Sequence, residues 1–227
     1  MGANIQTGNA DSQCDHVEFS MLNRLLILLT AAACSSIIGI SGSAAQQESP
    51  EIKDHIFLEN PAENAEKEAG RIYLKLMGEM EISFEMSGIN EIKDYQSWRA
   101  FNSLPYLSET HGRRYVNNYA NKIGADYGKL AKGEFFKPGS ILAKDSLTLT
   151  DNGQFFPGAL FIMEKLANGA NPQTADWRYI MISPDGSVFG DTSGDESANV
   201  DYCHDCHEVR ADYDYVFFIP EEFRSSE

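Results

Sequence analysis

The five residues Cys203-His204-Asp205-Cys206-His207 constrain this chain more than any other stretch of its 227 residues. Two thiols separated by two residues and followed at once by an imidazole fit the C-x-x-C-H pattern of haem attachment. The spacing has a direct chemical reason. Two such thiols can reach the two vinyl groups on one porphyrin edge and form thioethers, while the next residue projects its imidazole beneath the ring to ligate iron. The pattern therefore assigns Cys203, Cys206 and His207 to one covalently held haem c, with His207 as the metal ligand. A histidine in that place also lets the protein tune the iron through a hydrogen bond to the other ring nitrogen. Three rival readings fit less well. A thioredoxin-like pair would open a helix within a βαβ unit, usually early in the fold, whereas this pair lies near the C-terminus after a polar loop. Zinc needs four well-spaced ligands, and Cys203, His204, Cys206 and His207 are crowded together. A disulfide across so small a loop would stabilise little.

Haem attachment through cysteine needs an exported chain with reduced thiols, and the N-terminal region supplies the export signal. Arg24 precedes the apolar run Leu25 to Leu29, which continues with small residues to about Ile40. Ser41-Gly42-Ser43-Ala44-Ala45 then offers small residues for cleavage, ahead of the polar Gln46-Gln47-Glu48. This is the n-, h- and c-region order of a secretory signal, too short and too rich in small residues to favour a permanent span. Residues 1–45 are read as the signal region, with Met21 as an alternative start and cleavage after Ala45 favoured over lipid attachment at Cys34. Cleavage removes Cys14 and Cys34 and leaves only Cys203 and Cys206. The expected location is the periplasm or the exterior of a bacterial cell.

The formal net charge is −16. Residues 1–45 hold three acids and one base, so −14 remains after cleavage. Such a chain repels phosphate backbones, which argues against nucleic-acid binding. It suits a cationic partner or a small uncharged substrate.

Hydropathy patterning predicts an α+β fold, helices first and then mainly antiparallel strands, with residues 46–84 as a lead-in and helix and residues 85–227 as the haem domain. Pro61 begins a helix after a candidate Asn60 cap, and Ala62 to about Met80 continues it. Tyr95 to Phe101 is a weaker helical stretch, and Tyr115 to Tyr119 a short strand. Ala120 to Lys132 reads as a helix stopped by Gly133. Ser140 to Thr150 reads as a strand with Ile141, Ala143, Leu147 and Leu149 on one face. Asp151-Asn152-Gly153 is a turn, Ala159 to Met163 a strand, and Trp177 to Ser183 another. Pro184-Asp185-Gly186 turns into Ser187 to Phe189, residues 190–201 form a surface loop, and Tyr215 to Ile219 is a closing strand.

The side of the iron opposite His207 is left open by the sequence. A sixth ligand from His55, His111, Met163 or Met181 would make an electron carrier, and an open position would bind a small molecule. Both methionines lie in apolar strands and suit a core. His55 stands in the lead-in. His111, in Thr110-His111-Gly112-Arg113-Arg114-Tyr115, is either a loop histidine bonded to backbone or part of the site. Trp177-Arg178-Tyr179 could line a haem pocket or fill the core.

From about residue 85 to 224 the sequence resembles the cytochrome P-460 family, exported mono-haem proteins with C-x-x-C-H near the end of a largely antiparallel sheet. The pieces occur in order. They are Arg114-Tyr115-Val116 with Tyr119 and Asn121, then Gly133-Glu134-Phe135, Gly139 and Lys144. Gly158-Ala159-Leu160-Phe161 and Trp177-Arg178-Tyr179 follow, and Cys203 to His207 is closed by Asp214-Tyr215-Val216-Phe217. Hydroxylamine-oxidising members join a lysine covalently to the porphyrin edge, and the matching position is Lys144. Periodicity alone places Lys144 opposite Ile141 and Ala143, as an ordinary exposed lysine. The likeness also implies Arg114 and His111 as a polar distal side that orients hydroxylamine and moves its protons. A partner cytochrome would take the electrons, a nitrogen-oxide or hydroxylamine-like molecule would be the small ligand, and a homodimer is implied on the same ground alone. Relatives of the cytochrome c′-beta type lack the cross-link and bind nitric oxide or carbon monoxide in an apolar distal pocket.

Overall fold

The computed structural model describes residues 56–57, 61–194 and 196–226. The export segment 1–45, His55 and Asn60 lie outside them. In chain order the elements are β1 (Ile56–Phe57), α1 (Pro61–Glu85), β2 (Arg99–Ala100), β3 (Tyr106–Ser108), β4 (Arg114–Ala120) and β5 (Ile141–Leu149). They continue with β6 (Gln154–Pro157), β7 (Leu160–Lys165), β8 (Trp177–Ile182), β9 (Val188–Asp191) and α2 (Asp201–His207). This is the expected α+β arrangement. Among the described residues, no helix is long and apolar enough to cross a membrane.

The nine strands form one sheet in which every ladder is antiparallel. β5 is its spine. One edge of β5 pairs with β4. The other edge is shared, pairing near Leu147–Leu149 with β6 and near Ile141–Lys144 with β7. β7 then leads to β8 and β9.

Side chains alternate between faces along a strand, so the register assigns each aligned row to one side. Tyr119, Ala143, Ile162 and Ile180 form one row and belong to the core beneath α1. The helix contributes Ala69, Ile72, Tyr73, Leu76, Met80 and Phe84 to that core, a stripe at helical spacing. Each large side chain so buried stabilises the fold by about 1.5–3 kcal/mol. The neighbouring rows, Ala120–Leu142–Met163–Tyr179 and Asn118–Lys144–Phe161–Met181, look to the opposite face. There a second core gathers Leu142, Trp177, Tyr179, Val216 and Ile219, with Met163 and Cys203 packed against it.

Several sequence expectations are corrected. The helix expected over 120–132 is absent, because Ala120 closes β4 and Asn121 turns the chain. The Asn121 carboxamide oxygen accepts from Gly124 N (2.8 Å) and Ile141 N (3.1 Å), and its Nδ2 donates to the Gly139 carbonyl (2.8 Å). Such side-chain bonds compete with helix formation, and Gly128 then takes φ +85°. The closing strand over 215–219 is also absent. Asp214 and Tyr215 are both left-handed, at φ 51° and 64°, and Val216 and Ile219 anchor an irregular strap instead. Tyr95 to Phe101 divides into a short 3-10 turn and β2, and the loop expected over 190–201 contains the end of β9 and a 3-10 turn at Ser197–Asn199. α1 runs five residues past Met80 because Phe84 continues its buried stripe.

The two turn motifs are hairpins, with Gly153 and Gly186 at positive φ. Gly186 also presses on the end of α1, where an added Cβ would lie 2.2 Å from the Ser83 carbonyl oxygen. Gly186→Ala is therefore expected to destabilise the protein by roughly 2–3 kcal/mol in urea unfolding. Gly169→Ala meets nothing within 4 Å at a similar φ of +79°, and should cost only about 1 kcal/mol. Equal losses in the two variants would remove the contact with α1 as the cause.

Candidate functional site

The Cys-x-x-Cys-His residues fall in α2. Positions three and four apart on a helix share a side, so Cys203, Cys206 and His207 project together, while His204, three before His207, stands beside it at Tyr179. His204 turns its ring to Tyr215 (centroids 5.0 Å apart) and sets Nδ1 3.4 Å from the Tyr179 hydroxyl. Both cysteines of the motif are thiols. Burial, then Cys206 and Asp201, push the Cys203 thiol up to about 11, so it is protonated at neutral pH. A thioredoxin-like attacking cysteine needs the opposite shift, and its βαβ setting is missing from a sheet whose ladders are all antiparallel. Among the described residues no three His, Cys, Asp or Glu side chains gather as a metal-binding group.

His207 is held in one tautomer. Its Nδ1 lies 2.6 Å from the Tyr215 carbonyl oxygen. A carbonyl only accepts, so Nδ1 carries the proton and Nε2 presents a lone pair. Burial lowers the His207 pKa to about 4 against the opposing effect of that hydrogen bond, so the ring is neutral at pH 7. Its ring packs edge-on against Tyr179 (5.6 Å) and Phe217 (5.2 Å). A neutral imidazole with Nδ1 engaged and Nε2 available is the form that ligates a metal. Two thiols on the same side of α2 and an aromatic surround fit a haem.

The other candidates converge on the sheet face that carries this second core. Lys144 stands beside Phe161 in the β5–β7 ladder. The His111 ring packs on Phe161 at 4.9 Å, and the Arg114 guanidinium carbon lies 5.9 Å from the same ring. Arg114 reaches back to the His111 carbonyl (3.4 Å) and to Thr148 Oγ1 (3.3 Å). His111 Nδ1 pairs with Ser108 Oγ at 3.0 Å. Burial takes the His111 pKa well below its ordinary value, and the nearby charges of Lys144, His207 and Arg114 lower it further. His207 and the three residues suggested by family likeness are thus near enough to affect one another's charge. The exposed lysine expected at position 144 is corrected. It does lie opposite Ile141 and Ala143, but this face is covered too, and burial lowers its pKa to about 8.

Some residues named from sequence stand elsewhere. Trp177 is fully buried, and Arg178 is turned away to Asp191 (2.6 Å) and Glu164 (2.9 Å). Met163 joins the second core, while Met181 shares the row of Lys144 and Phe161. Two contributors were missed: Phe161, the ring on which His111 and Arg114 meet, and the Tyr215 carbonyl. For Phe161 the signal was available, since it aligns in alternation with Lys144. For Tyr215 it was not, because a backbone carbonyl leaves no mark in sequence. The Cytochrome P460 family model matches residues 92–218, from the turn before β2 through α2 to the strap. No curated protein matches the chain.

Proposed function

Starting from a chain that belongs to the cytochrome P460 family and hence binds haem, we propose an exported mono-haem c-type cytochrome that oxidises hydroxylamine. Cys203 and Cys206 would hold the haem by thioethers, and His207 would ligate the iron through Nε2. When bound, the haem would supply a redox centre between the substrate and a partner cytochrome. The net charge of −14 after cleavage favours a basic acceptor, since complementary charge speeds encounter. The observation that carries the reading is the gathering of His111, Arg114 and Lys144 around Phe161, with His207 near enough to His111 to help lower its pKa.

Arg114 offers fixed positive charge and N–H donors to orient a small polar molecule. His111 is neutral, with Nδ1 engaged by Ser108, and its second nitrogen exchanges a proton with the substrate. Lys144 forms the porphyrin cross-link. With a pKa near 8, about a tenth of its amine is unprotonated at pH 7, which makes it a better nucleophile than an exposed lysine. Cross-linking exchanges an N–H and a ring C–H for an N–C bond, a two-electron oxidation that requires an oxidant such as a peroxide.

The test is an absorption spectrum of oxidised and dithionite-reduced protein expressed with a c-haem maturation system. A red-shifted, broadened ferrous Soret band is expected for the native chain, and sharp bands of ordinary c-type form for Lys144→Ala. Identical spectra would remove Lys144 from the haem. The Phe161 ring, on which His111 packs with Arg114 close by, favours a second reading, nitric oxide or carbon monoxide binding beside an apolar surface. Sharp native bands together with tight binding of nitric oxide to the reduced protein would select it.

A further inference from the structure

We propose that Lys165 and Asp214 are positioning residues for His207, fixing the carbonyl that sets the basicity of its iron-facing nitrogen. The inference rests on the reading of His207 as the iron ligand. Lys165 ends β7 and Asp214 precedes the strap, 49 residues apart in sequence. Their side chains are 6% and 0% exposed and meet at 2.6 Å. Every polar part of this junction has a partner. Lys165 Nζ also donates to the Ala175 carbonyl (3.0 Å) and lies 4.9 Å from the centre of the Trp177 ring. The second Asp214 oxygen accepts from Phe136 N (2.8 Å), and the Asp214 carbonyl accepts from Trp177 Nε1 (2.8 Å).

This junction clamps one of two described places where consecutive non-glycine residues are left-handed, the other being Ala175–Asp176. Asp214 and Tyr215 are consecutive left-handed residues without being glycine, a conformation that L residues rarely take and keep only where their surroundings over-determine it. The reversal brings the Tyr215 carbonyl back to within 2.6 Å of His207 Nδ1. A buried ion pair adds little net stability compared with apolar residues of the same size. What it adds here is direction, since the carboxylate is tied to β7 and to the 136 backbone at once. A short bond from Nδ1–H to a fixed carbonyl makes the ring more electron-rich. Nε2 then donates more strongly, which favours ferric over ferrous iron.

The experiment uses full-length haem-loaded protein carrying Asp214→Asn, Lys165→Gln or Trp177→Phe. The readouts are the ferrous iron–histidine stretching vibration and the reduction potential. With haem stoichiometry retained, the stretch is expected to fall in frequency. The ferric-to-ferrous ratio at a fixed potential is expected to fall on the order of tenfold for the two charge variants, an upward shift of about 59 mV for one electron. Trp177→Phe, which leaves the ion pair in place, should move both readouts in the same direction by less. Loaded variants with native stretch and potential would overturn the proposal. Loss of folded protein in all three would make the pair purely structural and overturn it equally. A native protein without haem would instead indict the reading of His207.

Discussion

Cys206→Ser protein, produced with the same maturation system, is expected to emerge without properly attached haem. In α2 the two thiols lie on one side of a single turn, so both could form thioethers to one porphyrin edge. Serine cannot form a thioether, so at most the Cys203 bond would remain. The measurement is the ratio of haem to polypeptide after a denaturing gel, where only covalent haem survives. His204→Ala is the matched control. It removes another histidine of the same five residues, one that faces Tyr179 and Tyr215, and should retain haem in full. Normal stoichiometry in Cys206→Ser would defeat covalent attachment through this motif. Loss of haem in both variants would show only that α2 fails to form.

The contrast between these two histidines shows what could be read from sequence. Cys203, Cys206 and His207 are local, and their chemistry follows from spacing alone. β8 was legible as an aromatic and apolar run before a turn motif, and β5 because alternation over nine residues leaves a clear mark. That mark also placed Lys144 on the correct face. It could not say that the second face of β5 is covered, because the cover comes from α2 and the strap, about 60–75 residues further on. The same strap was read as a strand since Tyr215 to Ile219 is apolar and aromatic. Its course is instead decided by the Lys165–Asp214 junction, which no local pattern announces. The expected helix after Ala120 failed for a related reason. Its composition is helical, but a single Asn121 side chain bonded to Gly124, Gly139 and Ile141 outweighs weak intrinsic preference.

Asp145, which sequence reading passed over, is expected to give the protein a distinctive dependence of stability on pH. It follows Lys144 in β5 and points to the other face, beneath α1, where it is fully buried. Tyr73 and Tyr95 donate to its Oδ2 at 2.6 and 2.9 Å, Asn117 Nδ2 to its Oδ1 at 3.1 Å, and Tyr119 to the Tyr73 hydroxyl at 2.5 Å. Burial raises the carboxyl from 3.8 to about 6 while these hydrogen bonds restrain the rise. The folded protein thus keeps this proton up to about pH 6, whereas an unfolded chain releases it near 3.8. Stability from this group is full below the lower value and is lost as pH rises through the upper one. At 1.36 kcal/mol per unit, the ionised form costs about 3 kcal/mol at pH 7. Asp145→Asn stays neutral and keeps an acceptor for the tyrosines. Its stability relative to the native protein is therefore expected to rise by about 3 kcal/mol between pH 3.5 and pH 7. Urea unfolding of both proteins at matched pH isolates this group, since His111 and the remaining titrating groups are common to the pair. A difference that stays flat across that range would mean that Asp145 is ionised throughout. The tyrosine donors would then outweigh desolvation, and the face beneath α1 would hold a permanent buried charge one residue from Lys144.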